Sequence, residues 1–348
     1  MDRTARTPAG LTIPNAMSPW PVVRIAAAQG PRQAVAPLVV SASRATDIPA
    51  FHVRWLLERL RAGYCLWRNP FNAGQEQYVS FARCKCLIFW SKNPLPLLPR
   101  LPEIDDLGFK YYFQFTLNNY EPERLEPGLP PLEQRLETFC RLSEQLGRER
   151  VIWRWDPLLL AAALPTEALL ERLDAVGRRL SPLTDKLVIS FLDIYEKIRG
   201  RLAAHAAAPR APLETETSAL AQGLARCNAA WPHPLRLGTC AEAADLSAWG
   251  IAHNACADPA LISRLCPEDA DVQRLCGLDP AQARLLPAAP RKAAKDPSRR
   301  KHCQCLPAKD IGAYSTCPHA CVYCYANQSQ NVVRARLRAR KPGTESLI

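Results

Sequence analysis

Nowhere in the 348 residues does an uninterrupted apolar run approach the roughly 18 residues that a transmembrane helix requires. The opening stretch from Met1 to Pro37 carries proline and scattered arginine but no apolar signal-peptide core, so a cytoplasmic location without a membrane partner is expected. Histidine is scarce, six residues in all and none paired at helical spacing. A hydrolase built on a histidine-rich metal constellation is therefore the weakest of the enzyme readings. No internal repeat is visible beyond a strand–helix unit.

Hydrophobic residues make up 48% and charged residues 22%, as in an ordinary globular chain with room for one large domain or two small ones. Fourteen cysteines are many for a reducing compartment, yet too few for a disulfide scaffold of this length. Nine of them lie from Cys240 onward, and clustering of that kind suggests metal or redox chemistry. Cys65, Cys84, Cys86, Cys140, Cys227, Cys266 and Cys276 sit within strand- or helix-like patterns and read as small buried hydrophobes. The net charge of +12 is uneven: from Arg291 onward 12 Lys and Arg face three acids, so the tail carries +9. The run Arg334, Arg336, Arg338, Arg340 and Lys341 is a candidate polyanion contact, although such runs are more often solvated, disordered ends.

From Leu38 onward short apolar runs alternate with helical patterns. Strands are expected at Pro37–Ser43, Tyr64–Asn69, Cys86–Ser91, Tyr111–Leu117, Val151–Asp156, Lys186–Asp193, Arg236–Cys240 and Ile251–Cys256. Helices are expected at Pro49–Ala62, Leu95–Leu101, Leu132–Leu146, Thr166–Leu180, Glu214–Trp231 and Glu242–Trp249, with another starting at Pro259. Eight strands alternating with helices over roughly 230 residues predict an α/β fold, a TIM-like (β/α)8 barrel. A doubly wound open sheet shows the same alternation and is the runner-up. Runs such as Leu87 to Trp90 and Val188 to Phe191 are apolar on both faces, as strands covered on two sides are.

Each predicted strand ends in a polar cluster. In a barrel those ends converge on one rim, where active sites sit. Caps of the following helix account for Asp258 and Asp47. They do not account for Arg44, Lys92, Arg154 and Lys197, since capping does not call for cations. Arg44, Lys92, Asn93, Arg154 and Asp193 are therefore the candidate substrate-pocket residues, and Asn118, Asp156 and Glu242 candidate cofactor contacts on the same rim.

Near the C-terminus, Cys317-Pro318-His319-Ala320-Cys321-Val322-Tyr323-Cys324-Tyr325 has the spacing C-x3-C-x2-C with an aromatic before the third cysteine. Three close thiolates can hold three corners of a cubane cluster. Zinc would require a fourth ligand and more often uses C-x2-C pairs. The spacing resembles the radical S-adenosylmethionine superfamily, and the ending Cys321 to Tyr325 resembles its spore-photoproduct-lyase-like branch over about a dozen residues. That resemblance implies a [4Fe–4S] cluster, bound S-adenosylmethionine, Tyr323 against the adenine, and a reductant such as flavodoxin or ferredoxin. A wider resemblance covers most of the chain. Ser41 to Pro49, Phe89 to Pro94, Gln114 to Asn118, Trp153 to Pro157 and Asp310-Ile311-Gly312 are similar to domain of unknown function 1848, a bacterial family. It implies a TIM-barrel-like body with a cysteine-bearing tail.

Only about two dozen residues follow Cys324, so a barrel must lie upstream and the triad must dock on its rim from the tail. The stretch from Cys276 to Cys317 spans roughly 100 Å or more when extended, which is ample. Four further cysteines have the same destination. Cys240 and Cys256 end predicted neighbouring strands, and Cys303-x-Cys305 precedes the triad, so the four could hold a second iron–sulfur cluster or a zinc; the alternative is two core cysteines and two in a flexible loop. The expected layout is a flexible segment over residues 1–36, a barrel over 37–280, a linker and cysteine segment over 281–330 and a basic tail over 331–348. The alternative to an iron–sulfur enzyme is a nucleic-acid-binding protein with structural cysteines and a binding tail. The substrate is not legible.

Overall fold

The computed structural model describes residues 20–70, 72–278, 293–294 and 302–348. Twelve strands occur among them: β1 Val22–Ala27, β2 Gly30–Val35, β3 Val39–Ser41, β4 Tyr64–Asn69, β5 Asn72–Ser80, β6 Cys86–Ser91, β7 Lys110–Thr116, β8 Val151–Leu158, β9 Lys186–Phe191, β10 Arg236–Thr239, β11 Ile251–His253 and β12 Lys309–Asp310. The eight strands β11-β10-β9-β8-β7-β6-β3-β12, in that order, form one sheet in which every pairing is parallel. The α/β class is as expected. The closed barrel is not: among the described residues β11 and β12 stand at the two edges and do not pair with each other.

The reason lies in the second predicted strand. Tyr64–Asn69 runs into Asn72–Ser80 through a connection too short for a parallel crossover, so the two pair antiparallel as a hairpin. With β1 and β2 they build a separate four-stranded sheet, β1-β2-β5-β4. In the large sheet β3 therefore pairs directly with β6, and β12 adds to the other side of β3 through Lys309–Val40 and Asp310–Ser41. The N-terminal segment expected to be flexible up to residue 36 thus forms a hairpin from Val22 to Val35, while residues 1–19 lie outside the described residues. Much of the predicted linker, residues 281–292 and 295–301, lies outside them as well.

Strand alternation divides the core in two. Tyr111, Phe113 and Phe115 of β7 face one side with Leu56, Leu136, Phe139, Leu173 and Leu224 from the long helices. Val39, Cys86, Ile88, Tyr112, Ile152 and Val188 face the other. That inner face is covered by Leu261 and Ile262 of the helix Pro259–Leu265, by Val272, and by Leu306 and Ala308 of the tail. A closed barrel fills its interior with its own strands; here the C-terminal segments supply the filling.

The helices are largely where expected, at Val53–Ala62, Leu132–Leu146, Thr166–Leu180 and Glu214–Ala229. The first is interrupted at His52, leaving a short turn Ile48–Phe51 capped by Asp47. The segment Glu242–Trp249, expected as a helix, has only the 3-10 turn Ser247–Trp249. Five of its eight residues are Ala or acid, and the alanines favour helix locally, but Cys240 and Glu242 face the cavity, and tertiary context overrides propensity. Of the cysteines read as core, Cys65, Cys84, Cys86, Cys266 and Cys276 are buried; Cys140 and Cys227 are half-buried on helices.

Candidate functional site

In the inner face the first residues of the strands are apolar and the last are polar. Along β8 the inward positions are Ile152, Arg154 and Asp156; along β7 they are Tyr112, Gln114 and Thr116. The polar layer bounds a cavity of about 460 Å³ at the C-terminal ends of the strands. Arg44, Lys92, Arg154, Asp156, Asp193, Glu242 and Tyr323 line it, together with all seven cysteines predicted as ligands. Asn93 does not line it; its backbone N–H donates to Ser91 Oγ at 3.0 Å. Asn118 is fully buried behind the wall, where it supports Tyr323.

The triad loop is docked by hydrogen bonds to the loop after β7 and to Arg201. Gly128 N–H donates to His319 O and Val322 N–H to Leu125 O, both at 2.9 Å. A Cβ on Gly128 would stand 2.6 Å from His319 O, so the close approach requires glycine there. Asn327 Nδ2 donates to Cys317 O at 2.7 Å, and Arg201 donates to Cys324 O. Burial pushes the Cys317 and Cys321 thiols up, as it does any thiol taken out of water without a metal or cation in contact.

His319, inside the triad, is not turned toward it. Its Nε2 lies 2.8 Å from Asp47 Oδ2, and Phe51 packs on its ring. Asp47 also accepts from Ser91 Oγ at 2.7 Å and from the backbone of Lys92 at 2.8 Å and Ala50 at 3.0 Å. One carboxylate thus ties the β3 loop, the end of β6 and the triad loop together.

Tyr323 is held by a buried polar network. Its hydroxyl donates to Glu126 and accepts from Lys92 Nζ at 3.0 Å and Asn118 Nδ2 at 3.1 Å. Lys92 Nζ also donates to Glu126 Oε1 at 2.7 Å. Burial alone would raise the Glu126 carboxyl; Lys92 and Arg135 hold it below its ordinary value instead. Glu126 and Arg135 were not singled out in the sequence, because they lie in a loop and on a helix rather than at a strand end.

Arg154 is 2% exposed. It donates to Gln114 Oε1 at 3.2 Å, to Cys256 Sγ at 2.9 Å and to Asp156 Oδ2 at 2.5 Å, while Ser190 donates to the other Asp156 oxygen. Arg44 is positioned by Asp310 of β12, which accepts its backbone N–H at 2.8 Å, and lies over Trp90. Glu242 accepts from Phe191 N–H at 3.0 Å. Burial, with Asp193 and Asp156 nearby, pushes its carboxyl up to about 7.

Cys240, Cys256, Cys303 and Cys305 form a second group. Cys256 Sγ is 3.5 Å from Cys240 Sγ, and Cys305 hydrogen-bonds to both Cys256 and Cys303. The Cys305 bond lowers the Cys303 thiol to about 7. In neither group do three or more Cys, His, Asp or Glu side chains stand around one metal-ion position as they are placed among the described residues. Thiols that carry protons satisfy one another in series, and a metal would replace those protons.

At the cavity mouth Tyr325 packs on Tyr195 and Tyr314, with ring centroids at 5.6 and 6.2 Å, and Lys197 covers the Tyr314 and Tyr325 rings. The basic run is not a disordered end. Gln330–Ala339 is a helix capped by Ser329, Arg336 donates to Tyr314 O, and Arg340 reaches His52 Nδ1 at 2.7 Å. No helix among the described residues is long and apolar enough to cross a membrane.

The chain is thus an α/β protein whose large parallel sheet borders a polar cavity at the C-terminal ends of its strands. The chain belongs to the family of domain of unknown function DUF1848, whose model matches residues 39–326, from β3 to the end of the triad loop. No curated protein and no solved structure matches it.

Proposed function

We propose that the chain is an iron–sulfur enzyme of the radical S-adenosylmethionine type, with Cys317, Cys321 and Cys324 holding a [4Fe–4S] cluster. The observation that carries this reading is the donor set. Three thiols line one cavity wall, while His319, the residue of the same loop that would complete a Cys3His zinc site, is locked onto Asp47. Three protein ligands leave one cluster corner for a small molecule. The cavity beside them, about 460 Å³, lies in the range of sites for ligands the size of a nucleoside.

What such a cluster supplies when bound is one electron for reductive cleavage of a carbon–sulfur bond of S-adenosylmethionine. The rest falls to the chain's own residues. Lys92, Glu126 and Asn118 fix the Tyr323 hydroxyl and so set the ring against the cavity. Arg44 offers a cation beside the triad loop, fit for a carboxylate, and Arg154 on the opposite wall holds Asp156 in place. Trp90, Phe191 and Tyr325 line the cavity and exclude water. A one-electron donor of the flavodoxin or ferredoxin class is the partner this chemistry requires.

The test is anaerobic reconstitution with iron and sulfide, followed by dithionite reduction and addition of S-adenosylmethionine. Expected are a reduced-cluster electron paramagnetic resonance signal that shifts on adding S-adenosylmethionine, and formation of 5′-deoxyadenosine. Cys321→Ala should remove the signal. A full, reducible cluster that neither responds to S-adenosylmethionine nor yields 5′-deoxyadenosine would sink the proposal, as would zinc bound in its place.

A further inference from the structure

The large sheet is open, and its two edges are stitched together by cysteine. Cys240 directly follows β10 and Cys256 follows β11, while Cys303 and Cys305 lie in the tail just ahead of β12 at the opposite edge. The tail is guided there by backbone contacts. Leu306 N–H donates to Ala257 O at 3.0 Å, and Cys305 Sγ accepts the backbone N–H of Cys256 at 3.1 Å and of Ala257 at 3.3 Å. A thiol is a poor acceptor, and two backbone donors aimed at one sulfur suit a thiolate better. The Arg154 guanidinium, fully out of solvent, stands 2.9 Å from Cys256 Sγ. One arm of that guanidinium pairs with Asp156 at 2.5 Å, and the other aims a charged donor at the sulfur, which suits a thiolate held on a metal.

We propose that Cys240, Cys256, Cys303 and Cys305 form a four-thiolate centre for a thiophilic metal, zinc or an iron–sulfur cluster, which closes the seam of the sheet and is independent of the triad. The Cys240 and Cys256 sulfurs stand 3.5 Å apart, the Cys305 sulfur sits on the Cys256 backbone, and all four cysteines line the same cavity. Metal binding exchanges their protons for a shared ion, with Arg154 balancing part of the charge. Two ligands from the strand ends and two from the tail make the centre a clasp. It would hold the segment leading into the triad against the cavity.

The experiment uses the full chain purified without oxygen, with zinc, iron and acid-labile sulfide measured. The variant Cys317→Ala/Cys321→Ala/Cys324→Ala should keep a bound metal: about one zinc without sulfide, or about four iron with matching sulfide. The variant Cys303→Ser/Cys305→Ser should lose that same amount and keep the triad's iron. Should the latter fail to fold, alkylation of the unaltered protein decides. Cys240, Cys256, Cys303 and Cys305 should resist iodoacetamide in the native protein and react once a chelator has removed the metal. Metal content unchanged by Cys303→Ser/Cys305→Ser would overturn the proposal. So would immediate native alkylation of all four, or a Cys240–Cys256 disulfide found by peptide mapping.

Discussion

Glu126 shows how much of the site hangs on single buried charges. Its side chain is 4% exposed and serves Lys92, Tyr323 and Asn118 together. Removing one partner of a buried pair leaves the other charge without compensation, which typically costs more than the pair contributes. Glu126→Ala should therefore lower unfolding stability in urea by about 3 kcal/mol, and Glu126→Gln, which keeps the hydrogen bonds, by less. Equal losses for the two would mean that shape, not charge, is what matters. His52 is the second such residue. Its Nε2 meets Thr316 O at 3.1 Å and its Nδ1 meets Arg340, an arrangement that uses both ring nitrogens of the neutral form. Burial and Arg340 lower it from 6.5 to about 4. A lowered histidine means that the unfolded chain binds the proton more readily. The contribution of neutral His52 is complete above pH 6.5 and is lost as pH falls toward 4. The loss amounts to about 3 kcal/mol at most. Urea titrations should show this loss between pH 6.5 and 4, and His52→Gln should flatten it.

At the scale of elements, the cysteine loop owes its position to the loop after β7. Gly128 is the tightest point, with Pro318 O and His319 O 2.7 and 2.6 Å from where a Cβ would stand. Gly128→Val must push residues 318–319 away. The expected result is iron content at the triad reduced severalfold after reconstitution, with the long helices intact by circular dichroism. Iron loading equal to the parent protein would show that the loop adapts. The elements legible in the sequence were those with a continuous apolar signal: β6 to β9 and the helices between them. The hairpin β1–β2 was not, because only two of its twelve strand residues are buried and no long apolar run marks it. Nor was β12, two residues whose strand character comes wholly from pairing with β3. The site was legible where it uses strand ends, as at Arg44, Lys92, Arg154 and Asp156. It was not where support comes from loops, as with Glu126 and with His319, whose role depends on Asp47 some 270 residues away.

At the scale of the whole molecule, the packing of Glu345 and Leu347 bears on what the basic run is for. The last residues pack on the small sheet near the start of the chain. Leu66 N–H donates to Glu345 O at 2.9 Å, the Glu345 carboxylate accepts from Tyr64 at 2.5 Å and from Ala28 N–H at 2.8 Å, and Leu347 is 3% exposed. Ending the chain after Gly343 leaves all of Arg334, Arg336, Arg338, Arg340 and Lys341 in place but strips this contact. Burying one leucine is worth about 2 kcal/mol and each hydrogen bond about 1 kcal/mol. The shortened chain should therefore unfold at clearly lower urea, by about 5 kcal/mol with little change in slope. Nucleic-acid affinity, if the basic helix confers any, should stay as in the full chain, since every cation is retained. An unchanged urea midpoint would make the final residues a dispensable extension. A lower midpoint together with unchanged polyanion binding would separate the two roles of the tail: packing by Glu345 and Leu347, charge by the helix Gln330–Ala339 that stands between them and the triad.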